Sequence, residues 1–252
     1  TCHSSTSCGL PLLRRIEPRK SYATPKMKAL TLEAYGKFSY GDAPDPEIGD
    51  GDVQIEIKAC GICGSDVHGM DGSTGRRRPP IIMGHEASGV VAKVGSGVSG
   101  WKTGDRVTFD STTYCGQCLY CDQGLVNLCE NRQVIGVSCE EYRRHGAFAE
   151  KVVLPQLGIC AIPDDVSFEQ AALAEPVSIA LHAVNRLPIQ GGETAVVVGT
   201  GMIGLFLVQS LKAAGCSRVF AVDLAEDKLA LAKELGADET LVPGQDDICS
   251  VV

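Results

Sequence analysis

The chain reads as a mixed α/β protein: a β-rich, barrel-like unit followed by the first half of a doubly wound parallel sheet. Three features predict this. Short alternating or β-branched segments, punctuated by glycine turns, run from Met27 to about Leu154. After Pro163 the pattern changes to helix. From Thr194 to Gly236, strand-like and helix-like segments alternate, and each helix is closed by a glycine.

The first strand begins at Met27-Lys28-Ala29-Leu30. Val53-Gln54-Ile55-Glu56-Ile57 alternates with a period of two, as a half-buried strand does. Ser88 to Val94 is β-branched and apolar and ends at Gly95-Ser96-Gly97; Arg106 to Phe109 follows the turn signal Gly104-Asp105. Ser167-Phe168-Glu169-Gln170 has the form of a capping box, in which the Ser and Gln side chains each satisfy a backbone N–H left unpaired at a helix start, and Ala171-Ala172-Leu173 continues that helix. Ser178 to Arg186 is a second helical stretch. Thr194 to Val198 reads as a buried strand, Met202 to Ala214 as a helix closed by Gly215, Arg218 to Val222 as the next strand, and Ala225 to Leu235 as a helix closed by Gly236. About two and a half strands of the sheet are expected where a whole doubly wound cofactor sheet has about six, so a truncated chain is expected. Residues 1–26 carry Ser, Arg and a single acid, Glu17, without periodicity; they read as a leader or upstream extension outside the fold.

A chain of 252 residues has room for one large domain or two modest ones, and 44% apolar residues suffice for a core. A formal charge of −8 argues against a dedicated nucleic-acid surface. The basic run Arg76-Arg77-Arg78, before Pro79-Pro80, reads as a solvated loop. No apolar stretch is long enough to span a membrane: Ala195 to Val208 is interrupted by Gly199, Gly201 and Gly204. Four of the twelve cysteines fall close together, which points to metal and a reducing compartment rather than a disulfide framework.

Those four are Cys115-x2-Cys118-x2-Cys121-x7-Cys129. Four thiolates close a tetrahedral shell around zinc with no open position, which braces a loop and does no chemistry. The alternatives are a metal-free cysteine-rich loop or a zinc ribbon. A second constellation is distributed: Cys63, then Gly84-His85-Glu86. Thiolate, imidazole and carboxylate suit zinc, and three protein ligands leave a fourth position for water or substrate. Against this stands the plainer reading of His85 as a hydrogen-bonded structural residue, and of Cys60-x2-Cys63 as a redox pair. A third motif is Gly199-Thr200-Gly201-Met202-Ile203-Gly204, following a strand and opening a helix as a dinucleotide fingerprint requires. Its glycines permit a tight turn and close approach of pyrophosphate, and the helix N-terminus supplies unpaired N–H groups. Asp223 ends the second strand about twenty residues on, where a carboxylate accepts from ribose hydroxyls and repels a 2′-phosphate, favouring NAD over NADP.

Together these residues resemble the zinc-dependent medium-chain alcohol and polyol dehydrogenases, from Met27 to about Val242. Gly84-His85-Glu86-Ala87-Ser88-Gly89, running on to Gly95 and Val98, is similar to that family's zinc signature, and Cys60-Gly61-Ile62-Cys63-Gly64-Ser65-Asp66-Val67-His68 to its first metal-ligand segment. The four-cysteine lobe sits where the family places a structural zinc. The resemblance implies a GroES-like β-barrel catalytic domain over residues 27–180 and a partial Rossmann dinucleotide-binding domain over 181–252. It implies Cys63 and His85 as catalytic zinc ligands and Glu86 as an additional or exchangeable one. Glu175, in Ala174-Glu175-Pro176, stands where simple alcohol dehydrogenases carry a cysteine ligand. A glutamate there is similar to the polyol, threonine and sugar dehydrogenase branches; read from its neighbours alone it is a surface glutamate ending a helix before Pro176. The third ligand is thus Glu86 or Glu175. Ser65 would take the substrate hydroxyl proton and His68 would pass it towards solvent, while Cys60 is no ligand in such proteins.

The implied activity is zinc-dependent, NAD-linked oxidation of a secondary alcohol, a polyol or sugar alcohol, to a ketone. The implied partners are a small-molecule substrate and further copies of the chain, since the family is usually homo-oligomeric, with no nucleic acid and no membrane. The expected location is cytoplasmic, or mitochondrial if residues 1–26 are a leader. Two rivals remain: a threonine or simple alcohol dehydrogenase, and a non-catalytic zinc-stabilised fragment. The tail Ile248-Cys249-Ser250-Val251-Val252, unlike the family's continuation, speaks for the second. His182 reads as a core residue on an apolar helix, His145 as part of a surface loop, and His3 falls in the leader.

Overall fold

The computed structural model describes residues 26–246; the expected leader, apart from Lys26, and the tail Ile248–Val252 lie outside them. Strands β1 (Lys26–Ala34) and β2 (Lys37–Pro44) form a hairpin, and β3 (Asp52–Cys60) leads into a short helix, α1 (Gly64–Gly69). Then follow β4 (Ile81–Ile82), β5 (Ala87–Val94), β6 (Arg106–Phe109) and β7 (Thr112–Thr113). The cysteine lobe carries α2 (Leu119–Asp122) and returns through β8 (Gln133–Val134), β9 (Val137–Ser138), β10 (Arg143–Arg144), β11 (Lys151–Pro155) and β12 (Ile159–Ala161). Beyond lie α3 (Phe168–Ala172), α4 (Ala174–Asn185), β13 (Thr194–Val198), α5 (Met202–Ala213), β14 (Arg218–Val222), α6 (Glu226–Glu234) and β15 (Glu239–Leu241).

The barrel half is built on a five-stranded antiparallel sheet ordered β11-β3-β5-β6-β12, with β2-β1-β4 as a second sheet. Its core gathers Val53, Ile55, Val91, Val107, Phe109 and Leu154. Burying side chains of this size contributes roughly 1.5–3 kcal/mol each. The simple alternation expected of 53–57 is broken, because Gln54 is buried along with Val53 and Ile55. The pairing of β3 with β5 shifts register at Gln54/Ile55 and again at Ile57/Ala59, so the strand does not hold one strict alternation; the Gln54 amide donates to the Pro46 carbonyl at 3.3 Å. At α3 the capping box forms: Ser167 Oγ accepts from the Gln170 N–H at 3.2 Å and Gln170 Oε1 from the Ser167 N–H at 2.9 Å.

In the second half, β13, β14 and β15 run parallel in that order, with α5 and α6 packed against them. Val197, Val208, Leu211, Val219, Ala221 and Leu229 form its core. No described helix is long and apolar enough to cross a membrane.

Three readings from sequence need correction. Thr194 to Val198 is a strand but not a buried one, since Val197 alone is buried and Val198 is exposed, whereas Met27 to Leu154 is mostly strand and loop as expected, with a short helix at 64–69 where Cys63 is the N-cap and its N–H donates to Asp66 Oδ2 at 3.2 Å. His182 is exposed rather than a core residue. The run Arg76-Arg77-Arg78 is not uniformly solvated, because a parallel bridge between Arg77 and Ser138 turns the middle side chain inwards to 5% exposure.

His145 is exposed in a loop, as expected, but it also ties that loop to β4. Its Nδ1 accepts from the Ile82 N–H at 3.1 Å, while the ring rim opens on a cleft of about 660 Å³ that Asp45, Arg144 and Lys151 also line. Burial and then the neighbouring Arg143 hold its pKa below the ordinary histidine value. Because the folded value is depressed, the stabilisation is full above the unfolded value of about 6.5 and is lost as pH falls through the folded one. His145→Asn keeps an acceptor without the titration; the fall in Tm from pH 7 to pH 5 should therefore be shallower in the variant than in the parent when both are melted in parallel.

Candidate functional site

Three elements bring the first cluster together. Cys63 stands at the start of α1, and His85-Glu86 follows the turn at Gly84, whose φ of +89° suits glycine and where a Cβ would run into Phe148. One ligand atom from each of Cys63, His85 and Glu86 lies within 4.8 Å of the others. His85 and Glu86 are buried, Glu86 to 1% exposure, and neither Glu86 carboxylate oxygen has a hydrogen-bond partner among the described residues. The Glu86 side chain is packed so tightly on Gly61 that a Cβ there would meet Glu86 Oε2 at 2.5 Å. A buried carboxylate with no donor costs several kcal/mol unless a cation or proton satisfies it. Thiolate, imidazole and carboxylate together are the donor set of a divalent zinc-type ion, so the residues fit such a group.

Behind this cluster sits a closed ring of polar contacts. Asp66 Oδ1 is 3.5 Å from His85 Nδ1 and 3.4 Å from Arg77 Nη2; Arg77 Nη2 is 3.3 Å from Ser65 Oγ; and Ser65 Oγ is 3.4 Å from His85 Nε2. The Asp66 contact at Nδ1 is outside hydrogen-bond geometry, yet the carboxylate stands on that side of the ring and leaves Nε2 on the side of Ser65. Burial works against the charge on Asp66, but His85 and Arg77 outweigh it and hold its carboxyl below the usual range. Burial pushes the Cys63 thiol up, and pushes Cys60 further, to about 12. Cys60 is thus a half-buried thiol beside the cluster, its Sγ turned to the Gly61 carbonyl at 3.6 Å.

Ser65 and His68 are both exposed on α1. Glu175 does not end a helix: it lies in the first turn of α4, half-buried, and outside the tight Cys63–His85–Glu86 group. Burial raises its pKa, although the charge of His85 opposes this.

The second cluster is Cys115, Cys118, Cys121 and Cys129, whose sulfurs all lie within 4.8 Å of one another, the shortest contact being 3.5 Å between Cys118 and Cys121. All four are free thiols. Backbone N–H groups around the lobe pull Cys118 down to about 6. Four sulfurs at this spacing cannot all ionise without a cation between them, and soft thiolates suit zinc.

The glycine loop joins β13 to α5. Gly199 has φ +90°, and Gly204 allows the helix to sit on the loop, since a Cβ there would lie 1.9 Å from the Gly199 carbonyl oxygen. The buried Thr200 donates to Asp223 Oδ2 from its N–H at 2.7 Å and from its hydroxyl at 3.1 Å, and Asp223 Oδ1 accepts from the Ala225 N–H at 3.0 Å. These bonds hold the Asp223 pKa down at about 2. Gly201 caps α5 in extended backbone, and Thr200, Gly201 and Met202 open on a cleft of about 380 Å³ that Lys228 closes from α6.

Asp66, Arg77 and Thr200 were not singled out from sequence. Asp66 had a signal, an acid three residues after a potential N-cap; Arg77 and Thr200 had none, because the direction of a loop side chain is set by what its backbone pairs with.

Comparison with known proteins agrees with this architecture. Residues 49–164 match the alcohol dehydrogenase GroES-like domain and residues 203–252 the zinc-binding dehydrogenase family. The chain is 37% identical to D-arabitol-phosphate dehydrogenase of Enterococcus avium, over 90% of this chain and 64% of that protein. It is 37% identical to sorbitol dehydrogenase of Bacillus subtilis, over 84% of this chain and 60% of that one. A zinc-binding dehydrogenase from Sinorhizobium meliloti, crystallised bound to NADP, superposes with a TM-score of 0.83 at 36% identity, covering 91% of this chain and 65% of that one. The chain thus spans less than two thirds of the length of these relatives. The fold is a GroES-like barrel joined to part of a Rossmann-type sheet. The chain belongs to the zinc-dependent medium-chain alcohol and polyol dehydrogenase family, as its motifs led one to expect.

The contact at Gly204 is directly testable. Gly204→Val places a side chain against the Gly199 carbonyl and should destabilise the protein by about 1–3 kcal/mol or more; urea unfolding followed by circular dichroism measures the loss.

Proposed function

We propose that this chain is the zinc- and dinucleotide-binding part of a dehydrogenase that oxidises a secondary hydroxyl of a polyol or sugar alcohol to a ketone, with NAD preferred to NADP. The observation that carries the reading is the Cys63–His85–Glu86 cluster, with its buried and unpartnered carboxylate. Bound there, zinc supplies Lewis-acid polarisation of the substrate hydroxyl, and the nicotinamide supplies the hydride acceptor. Cys63 and His85 hold the metal, with Glu86 or Glu175 as the further carboxylate ligand. Ser65 Oγ, at the open end of α1 and 3.4 Å from His85 Nε2, receives the substrate proton. His68, exposed on the same short helix, passes it to solvent. Cys115, Cys118, Cys121 and Cys129 hold a structural zinc that braces their lobe. Glu175, where simple alcohol dehydrogenases carry cysteine, supports the polyol branch, as does the similarity to arabitol-phosphate and sorbitol dehydrogenases.

The loop Gly199, Gly201, Met202, Ile203 and Gly204 receives the pyrophosphate at the N-terminus of α5, where first-turn N–H groups are unpaired. Asp223 Oδ2 is occupied by two donors from Thr200, whereas Oδ1 has only the Ala225 N–H and keeps a lone pair for a ribose hydroxyl. A carboxylate held ionised at that point repels a 2′-phosphate.

Two substitutions test this. Cys63→Ala should lower zinc content from about two to about one per chain and abolish polyol oxidation, while leaving dinucleotide affinity nearly intact; a variant that keeps both zincs and full turnover would overturn the mechanism. Asp223→Ala should shift the NAD-to-NADP preference by about tenfold or more towards NADP, read by titrating each dinucleotide. An unchanged ratio would show that the carboxylate does not select the cofactor.

A further inference from the structure

The geometry points to Arg77 as a positioning residue for the metal cluster, a role that rests on the zinc reading of Cys63, His85 and Glu86. Arg77 is a cation buried beside that cluster. Its side chain is 6% exposed, in contact with an Asp66 carboxylate that is 2% exposed. One nitrogen, Nη2, reaches both Asp66 Oδ1 at 3.4 Å and Ser65 Oγ at 3.3 Å, while Nη1 donates to the Arg76 carbonyl at 3.1 Å. The same Asp66 oxygen faces His85 Nδ1, and the same Ser65 oxygen faces His85 Nε2. Arg77 therefore touches no ligand atom directly but contacts both groups that flank the His85 ring.

The chain is built to deliver this side chain. Arg78 N–H donates to the Ser138 carbonyl at 3.0 Å and Ser138 N–H to the Arg76 carbonyl at 3.1 Å, which pins the triplet alongside β9 and points its middle residue inwards. The Arg77 stem then crosses α1 at Gly69, so closely that a Cβ on Gly69 would meet Arg77 Cγ at 2.4 Å. A glycine on that face of α1 is what lets the guanidinium pass to Asp66. The consequence is division of labour on one carboxylate. Asp66 stands against the Nδ1 side of the His85 ring, and Arg77 holds that same carboxylate oxygen in place. Its second contact, on Ser65 Oγ, holds the hydroxyl at the mouth of the site.

The test is zinc binding by the 252-residue chain, measured in competition with a chromophoric chelator, with the four-cysteine equivalent as an internal control. Arg77→Met preserves the stem over Gly69 and removes the charge. It should weaken the Cys63–His85–Glu86 equivalent by about 10–100-fold and leave the four-cysteine equivalent unchanged. Arg77→Lys, whose one nitrogen cannot stand at both the Nη1 and Nη2 positions, should show an intermediate loss and carries the test if the neutral variant does not fold. In an Asp66→Asn background Arg77→Met should have little further effect, since the two act through one contact. Parent-like affinity in both Arg77 variants, or an undiminished effect of Arg77→Met on the Asp66→Asn background, would overturn the role while leaving the zinc reading standing. A parent chain that takes up only one zinc would instead sink the zinc reading, and this role with it.

Discussion

The barrel half of the molecule is organised around a carboxylate that has nowhere to go. Glu86 is packed against Gly61 and removed from water, and neither of its oxygens has a hydrogen-bond partner among the described residues. An isolated ion in such a place costs several kcal/mol, so a cation or a proton must satisfy its lone pairs. The elements around it serve that end. Gly84 turns the chain so that His85 and Glu86 enter side by side, α1 presents Cys63 at its first turn, and Asp66 and Arg77 stand behind the imidazole.

The sheet half poses the opposite electrostatic problem and solves it with backbone. A glycine-rich loop has many N–H groups and few internal acceptors, and Asp223 supplies an acceptor from the end of the adjacent strand. Thr200 and Ala225 pay out three donors to it, so the loop and β14 are fastened to one another at the point where the sheet, the helix N-terminus and the cleft beside α5 meet. The proposed selector of the cofactor is thus also a brace of the loop that receives it. One end of the carboxylate does each task.

Much of this was legible beforehand, where the controlling physics is local. The bounds of β13, β6 and β14 coincide with the expected segments, and β14 is the continuous buried apolar run that a parallel strand makes, whereas β6 is antiparallel and alternates, and β13 buries only Val197. The Ser167–Gln170 box formed as its spacing implied, since both hydrogen bonds close within one turn. The four cysteines come together because a few residues of loop separate them. Where local signals failed, a longer-range contact had intervened. Register shifts against β5 altered the faces of β3, and the bridge to Ser138 turned Arg77 inwards. Helix α1 is too short for an apolar stripe to announce it.

By itself, then, the amino-acid sequence determined the fold class, the glycine loop with its acid at the end of the next strand, and the chemical types available for a metal. These follow from hydrophobic period, glycine conformational freedom and donor chemistry, all of which are properties of a residue and its near neighbours. Only the tertiary structure decided which groups meet: Cys63 with His85 and Glu86, Asp66 with both His85 and Arg77, and Glu175 near but apart from them. Such meetings depend on how strands far apart in the chain pair and which way each loop side chain is then forced to point, and no local pattern encodes that direction.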